Sequence, residues 1–445
     1  MPGPNSRLTA VPPVQALLVC ARLWSSGAAI DEDLAARLRE AALVGNHHRY
    51  AAAIPAYAAL IGESSSAGTV TLADIRDRFL VTDELFKGYD PAWLRGGLPE
   101  LSHWLGTIFI ERLTDPALHA GDVNRWRAVL KRHGVYVTFS SGTGGRPSLV
   151  PRDRLTLAAL RATSGVRLPW TPATGGYDFL QLVAPGLGTG IQSGAAGLAS
   201  GAVRVHRLRA TPLDLDSLTG EAPSRPGGAP PGHEAATAFL EGAERPVLVF
   251  GTPPELSGLL THLSSAARRI RLPPGSQVVT GGGWKGRTAI PRAELVERVA
   301  EHLGVPRERY VDTYSTSELN TVFPSCVDDR YHIPPCVEPV VVDGLLAPVD
   351  GDDVEGTLAV LDPFALSYPG FVVTGDAVRL RRDPCGCGLT GPSLAGPIVR
   401  ADGAGERGCA AGSEAEETGK VEKTGKAREP GKAEETGEEA GGTAR

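Results

Sequence analysis

Between residues 136 and 376, short apolar runs alternate with loops and amphipathic helices, and this alternation restricts the fold more than any other feature. The clearest runs are residues 135–137, 247–250, 277–280, 340–342 and 358–361, short strand-like stretches set between loops and helices. Pro291, with φ preset for a first helical turn, precedes Leu295, Val296, Val299 and Leu303, which predict an amphipathic helix between two strands. Strands that alternate with helices predict an α/β fold on a largely parallel sheet.

Residues 1–95 read differently, as a mostly helical region leading into a core over residues 96–400. Asp31, Glu32 and Asp33 open a run with Leu34, Leu38 and Leu43 near helical spacing, and acids suit the first turn of a helix. The chain has 55 Gly and 36 Pro, roughly a fifth of 445 residues, so many loops are expected around a packed core. Residues 219–233, rich in both, read as a surface excursion. Residues 401–410 close the core, and residues 411–445 change character. That tail holds nine Glu against six Lys or Arg, and Val421 is its only large apolar residue, so it reads as a disordered charged segment.

Several functional classes are excluded at this level. A formal charge of −6 gives no basic field for nucleic acid or anionic lipid. No stretch approaches 18 uninterrupted apolar residues, so no membrane span is expected. The apolar run of residues 14–24 follows two prolines, contains Arg22 and lacks a cleavage site, so it does not read as a signal peptide. The expected location is cytoplasmic, with the six cysteines reduced or metal-bound.

The strongest chemical signal is the segment Ser140, Ser141, Gly142, Thr143, Gly144 and Gly145, entered from a strand and left through Pro147. Hydroxyls and free backbone N–H groups can converge there on an anion, and glycine lets phosphate oxygens approach. The spacing and the lysine of a P-loop are absent. Downstream, Tyr314 ends a strand and is followed by Thr316, Ser317 and Glu318. The aromatic could stack on a base and the carboxylate could hold Mg²⁺. Asp376, after Thr374 and Gly375, ends another strand with a carboxylate able to accept two ribose hydroxyls.

A second constellation is Cys326 and His332 on one loop with Cys385 and Cys387 in a Cys-Gly-Cys-Gly turn. Three thiolates and one imidazole suit a tetrahedral structural Zn²⁺. Cys336 competes as a ligand, and the alternative is a set of buried, unliganded thiols.

Taken in order, these pieces resemble the adenylate-forming superfamily of acyl-CoA synthetases and adenylation domains. More closely, the chain resembles the acyl-protein synthetases of bacterial luminescence operons and their relatives near phenylacetate-CoA ligase. Ile54-Pro55-Ala56-Tyr57, Leu85-Phe86-Lys87, Gly281-Gly282-Gly283-Trp284-Lys285, Cys385-Gly386-Cys387-Gly388 and Arg407-Gly408-Cys409-Ala410 carry that likeness, over roughly residues 35–410. The resemblance implies an α/β adenylate-forming large domain that uses ATP and Mg²⁺ to activate a carboxylic acid as its acyl-adenylate. The acyl group would then pass to a thiol, with CoA or an amine as alternative acceptors. An acyl-donor or acyl-acceptor protein (a reductase, an acyltransferase or a carrier) would be the partner. A non-catalytic module that binds nucleotide or acyl-adenylate is the alternative of another class.

By the same resemblance, residues 140–145 would wrap the β,γ-phosphates, Tyr314 would stack on adenine, and Thr316 or Ser317 would touch the α-phosphate. Glu318 would bind Mg²⁺, Asp376 the ribose, and Arg400 would be the arginine that follows it. Gly281, Gly282 and Gly283 would let backbone pass close to the adenine and acyl pocket. Two departures stand out. Ser315 occupies a position where relatives carry Gly, and a polar tail replaces the mobile C-terminal domain with its catalytic lysine. Lys285 is the substitute cation, and Cys409, beside Arg407, is the candidate acyl acceptor.

Overall fold

The computed structural model describes residues 12–62, 69–115, 118, 121–140, 146–164, 176–183, 190–207, 232–284 and 289–401. The N-terminal region is helical as the sequence predicts, with helices Pro12–Ser25, Glu32–Ala53, Pro55–Ile61 and Leu72–Arg78. Asp31 caps the second by accepting from the Leu34 N–H, and Thr71 with Asp74 forms a capping box on the fourth. A two-residue strand β1 (Val81–Thr82) and a 3₁₀ turn, Asp83–Lys87, follow. After helices Leu98–Thr107 and Val123–Arg132 comes an antiparallel pair, β2 (Tyr136–Phe139) and β3 (Leu149–Arg152).

The expected parallel sheet is present. It consists of β4 (Asp178–Gln181), β5 (Arg204–Arg207), β6 (Val247–Gly251), β7 (Gln277–Gly281), β8 (Tyr310–Tyr314) and the short β9 (Phe323–Pro324), in the order β5-β4-β6-β7-β8-β9. All pairs are parallel except β8 with β9. Alternate residues serve two cores. Val247, Val249 and Val278 pack with helices Pro253–Ser265 and Arg292–Leu303, while Leu248, Phe250 and Val279 pack with helix Gly190–Ala199.

A second sheet differs from the expectation. Residues 340–342 and 358–361 belong not to the parallel sheet but to a mostly antiparallel one. It is built from β10 (Tyr331–His332), β11 (Glu338–Val342), β12 (Asp353–Leu361), β13 (Phe371–Arg381) and β14 (Ser393–Arg400) in the order β10-β14-β13-β12-β11. No helix separates these strands, so the short connections can only return the chain antiparallel. β1 joins this sheet in parallel with β13, pairing Val81 with Val372. One face of the sheet, with Val340, Val342, Ala359, Leu361 and Val373, shares a core with Leu43, Tyr50, Phe86, Leu105 and Trp126. Residues on both sides of position 95 therefore pack in one core.

Candidate active site

The β2–β3 pair ends where the hydroxyl-rich segment begins. The Ser140 N–H donates to the Ser148 carbonyl, and the Ser148 N–H donates to Ser140 Oγ at 2.7 Å, so Ser140 closes the base of the loop. Ser141, Gly142, Thr143, Gly144 and Gly145 lie outside the described residues, as do Lys285 and Cys409. Beyond the loop, Arg146 donates to the Lys87 carbonyl, and Tyr89 donates to the Pro147 carbonyl.

Two sheets deliver the other motif residues. At the end of β8, Tyr314 is fully buried and donates to Asp376 Oδ2 at 2.8 Å. The Tyr314 ring packs in an apolar cluster against Phe323. Asp376 sits on an irregularity of β13. Thr357 pairs with Ala377 and Ala359 with Val373, so Thr374, Gly375 and Asp376 oppose a single residue of β12. Such a bulge re-aims a side chain out of the regular ladder. Thr374 Oγ1 holds it by donating to the Leu358 carbonyl and accepting from the Asp376 N–H.

Arg400, opposite Asp376 on β14, donates to Asp376 Oδ1 at 3.0 Å and to the Thr374 carbonyl at 2.7 Å. Burial pushes the Asp376 carboxyl above its usual range, while the Arg400 charge and the Tyr314 hydrogen bond pull it back. Nearby Glu318 adds a negative charge that raises it further. The network runs on through Arg400 to Asp83 and from Asp83 to Lys87 at 2.7 Å. Burial would lower the Lys87 ammonium, but Asp83 and Glu84 outweigh it and hold it above its ordinary value.

The segment carrying Ser317 and Glu318 is fixed by its backbone. Arg152, fully buried at the end of β3, donates to the carbonyls of Ser317 (2.6 Å) and Leu319 (3.1 Å). Tyr368 donates to the Glu318 carbonyl at 2.7 Å, and Thr163 donates to that of Asn320. Four consecutive carbonyls are thus held by three side chains, Arg152, Tyr368 and Thr163, from distant parts of the chain. Arg152 also donates to Asn320 Oδ1, Thr138 Oγ1 and the Tyr368 oxygen. Asn320 in turn donates to the buried Asp362. With its backbone held, Glu318 keeps a 5% exposed side chain whose carboxylate takes no hydrogen bond among the described residues. Thr316 Oγ1 is buried and without a hydrogen-bond partner among the described residues.

Sequence reasoning singled out Lys87 only as part of a motif and missed Arg152, Asn320 and Tyr368. The one signal for Arg152 is a charged residue closing the otherwise apolar strand Leu149–Arg152. The glycines after β7 divide by cause. A Cβ on Gly281 would run into Thr313 Oγ1 of the neighbouring strand, whereas Gly282 (φ 82°) and Gly283 (φ 60°) adopt left-handed backbone.

The cysteine–histidine set converges. The ligand atoms of Cys326, His332, Cys385 and Cys387 lie within 4.8 Å of one another, with 3.7 Å between the Cys326 and Cys385 sulfurs and 3.3 Å between Cys387 Sγ and His332 Nε2. Cys336 is not part of it, since it is fully buried in the apolar cluster that contains Phe364 and Leu366.

Residues 238–416 match the family described as "Acyl-protein synthetase, LuxE". The long-chain-fatty-acid–luciferin-component ligase of Aliivibrio fischeri is 32% identical over 113 residues, which is 24% of this chain and 30% of that protein. The protein of the same name from Vibrio harveyi is 29% identical over 109 residues, 24% of this chain and 29% of that protein. The matched stretch thus spans under a third of the length of these relatives. Among solved structures, a long-chain-fatty-acid-CoA ligase from Archaeoglobus fulgidus aligns at 16% identity and TM-score 0.38, over 55% of this chain and 48% of that one. A luciferase-like enzyme from the mealworm Zophobas morio aligns at 15% identity and TM-score 0.39, over 59% and 56%. Over residues 238–416, which carry the triple glycine, Glu318, Asp376 and the paired cysteines, this chain is similar to the acyl-protein synthetases of the LuxE family.

Proposed function

We propose that this protein activates a carboxylic acid of the fatty-acid class as an acyl-adenylate and passes the acyl group to a thiol. The observation that carries the reading is the pairing of Asp376 with Arg400, with Glu318, whose backbone Tyr368 holds, close enough for its charge to act on both. In the first step a carboxylate oxygen attacks the α-phosphorus of ATP. A bond forms to that oxygen, the bond to the bridging β-oxygen breaks, and pyrophosphate leaves with the electron pair. In the second step a thiolate attacks the acyl carbon and AMP leaves.

Asp376 would accept the ribose hydroxyls, with Tyr314 and Arg400 keeping its carboxylate oriented. Thr316 Oγ1, buried and unpartnered, would donate to an α-phosphate oxygen. The loop closed by Ser140 would hold the outer phosphates, with Lys285 as a further cation. Glu318 is the residue that would hold Mg²⁺, an ion that would neutralise charge on the phosphates. Catalysis of this kind is chiefly positioning and charge stabilisation. Zn²⁺ at the cysteine–histidine cluster would stand outside both steps, because four protein ligands leave no open position.

Acid-dependent ATP–pyrophosphate exchange tests the first step. Exchange should rise with acyl chain length across a panel of straight-chain acids, and nucleotide binding without exchange would mark a non-catalytic binding module. For the second step, enzyme with ATP and labelled acid should yield a hydroxylamine-labile adduct on the peptide containing Cys409. Cys409→Ala should lose the adduct and keep the exchange. Persistence of the adduct in that variant, or exchange with no adduct, would move the acceptor to CoA, an amine or a separate protein.

A further inference from the structure

We infer that Cys326, His332, Cys385 and Cys387 bind one structural Zn²⁺, and that this ion clamps the two sheets together at the edge where they meet. The ligands come from both. Cys326 follows β9, the antiparallel edge strand of the parallel sheet, through the Ser325–Tyr331 bridge. His332 lies on β10, the edge strand of the other sheet, and Cys385 and Cys387 lie in the turn from β13 to β14.

The spacings suit the ion. With bonds of about 2.3 Å to sulfur and ~2.0 Å to nitrogen, tetrahedral edges are about 3.8 Å between sulfurs and ~3.5 Å from sulfur to nitrogen. The two short contacts are 3.7 and 3.3 Å. Three soft sulfurs and one imidazole select Zn²⁺ over the hard cations Mg²⁺ and Ca²⁺. Surrounding contacts preset both loops. The Cys326 N–H donates to the Arg330 carbonyl, and the Gly388 N–H donates to that of Cys385. Arg330 reaches across to Asp383 at 2.8 Å and so joins the two loops. Outer contacts of this kind orient ligands and tune affinity.

β9 pairs directly with Tyr314, and the turn holding Cys385 joins the strands that carry Asp376 and Arg400. A clamp here therefore sets the relation between the two sheets that supply the proposed nucleotide site. The metal assignment does not depend on the acyl-adenylate reading, and its test reads the metal.

Full-length protein purified without chelator should contain one zinc per chain by elemental mass spectrometry. Titration with a mercurial should release that zinc as three thiols react. Replacement by Co²⁺ should produce the thiolate charge-transfer absorption and intense visible bands of a tetrahedral site. Cys385→Ala should lose the metal and unfold at lower temperature. If that variant is insoluble, the titration and the Co²⁺ spectrum of the unmodified chain still decide. Metal-free protein from zinc-supplemented cells, or zinc release unlinked to thiol reaction, would overturn the site.

Discussion

Glu318→Gln is expected to lower acid-dependent ATP–pyrophosphate exchange by about 10²-fold or more while leaving the fold intact. The substitution is nearly isosteric and removes only the charge. Its backbone carbonyl stays held by Tyr368, and its neighbours keep their own partners. Loss of the negative charge also relieves the repulsion that raises Asp376, so the folded state should not suffer. What disappears is the carboxylate proposed to hold Mg²⁺, and ~10²-fold is about 2.7 kcal/mol of transition-state stabilisation. The Mg²⁺ concentration needed for half-maximal exchange should rise as well. Unchanged acyl-AMP formation at ordinary Mg²⁺ would remove Glu318 from the metal.

Arg152→Met should be the most destabilising single change near the site, costing about 3–5 kcal/mol in urea unfolding. Met fills much of the volume of the arginine stem but provides no donor. The carbonyls of Ser317 and Leu319 and the Asn320 side chain would each lose a buried hydrogen bond. Buried Asp362, whose desolvation is offset chiefly by hydrogen bonds from Asn320 and Phe364, would also lose the smaller contribution of the Arg152 charge. Arg152→Lys should recover less than half of the loss, because one ammonium cannot serve five acceptors spread around a planar fork. A further readout separates positioning from bulk stability. In folded Arg152→Lys, exchange should fall mainly in kcat, since the shifted residue is Glu318. An Arg152→Met midpoint equal to that of the unmodified chain would show that these carbonyls are satisfied in some other way.

The parallel sheet and its helices were legible because their sequence is locally consistent. Residues 247–250 and 277–280 are short β-branched runs, and Leu295, Val296, Val299 and Leu303 fall on one helical face behind Pro291. The second sheet was not legible by that pattern. Residues 340–342 and 358–361 are buried on both faces and read like parallel core strands. The informative feature was Asp343-Gly344 between them, a turn signal whose Asp343 side chain accepts from the N–H groups of Leu345 and Ala347. Cysteine spacing led to Cys326, His332, Cys385 and Cys387, whose ligand atoms the fold brings within 4.8 Å of one another. Nothing comparable marks Arg152, Asn320 and Tyr368. They are far apart in the chain, and only the fold makes them partners.

The pairing of β1 with β13 has a consequence for biosynthesis. Val81 and Val372 are about 290 residues apart, and the core that joins them is lined by both ends of the chain. At ~5–20 residues per second, the N-terminal helices wait about 15–60 s on the ribosome before their sheet is made. Throughout that interval Tyr50, Phe86 and Leu105 lack the sheet residues Val340, Ala359, Leu361 and Val373 that complete their core. The nascent chain must carry an open apolar face, so the yield of this protein in cells should be set by chaperone capacity during translation more than by the stability of the finished fold.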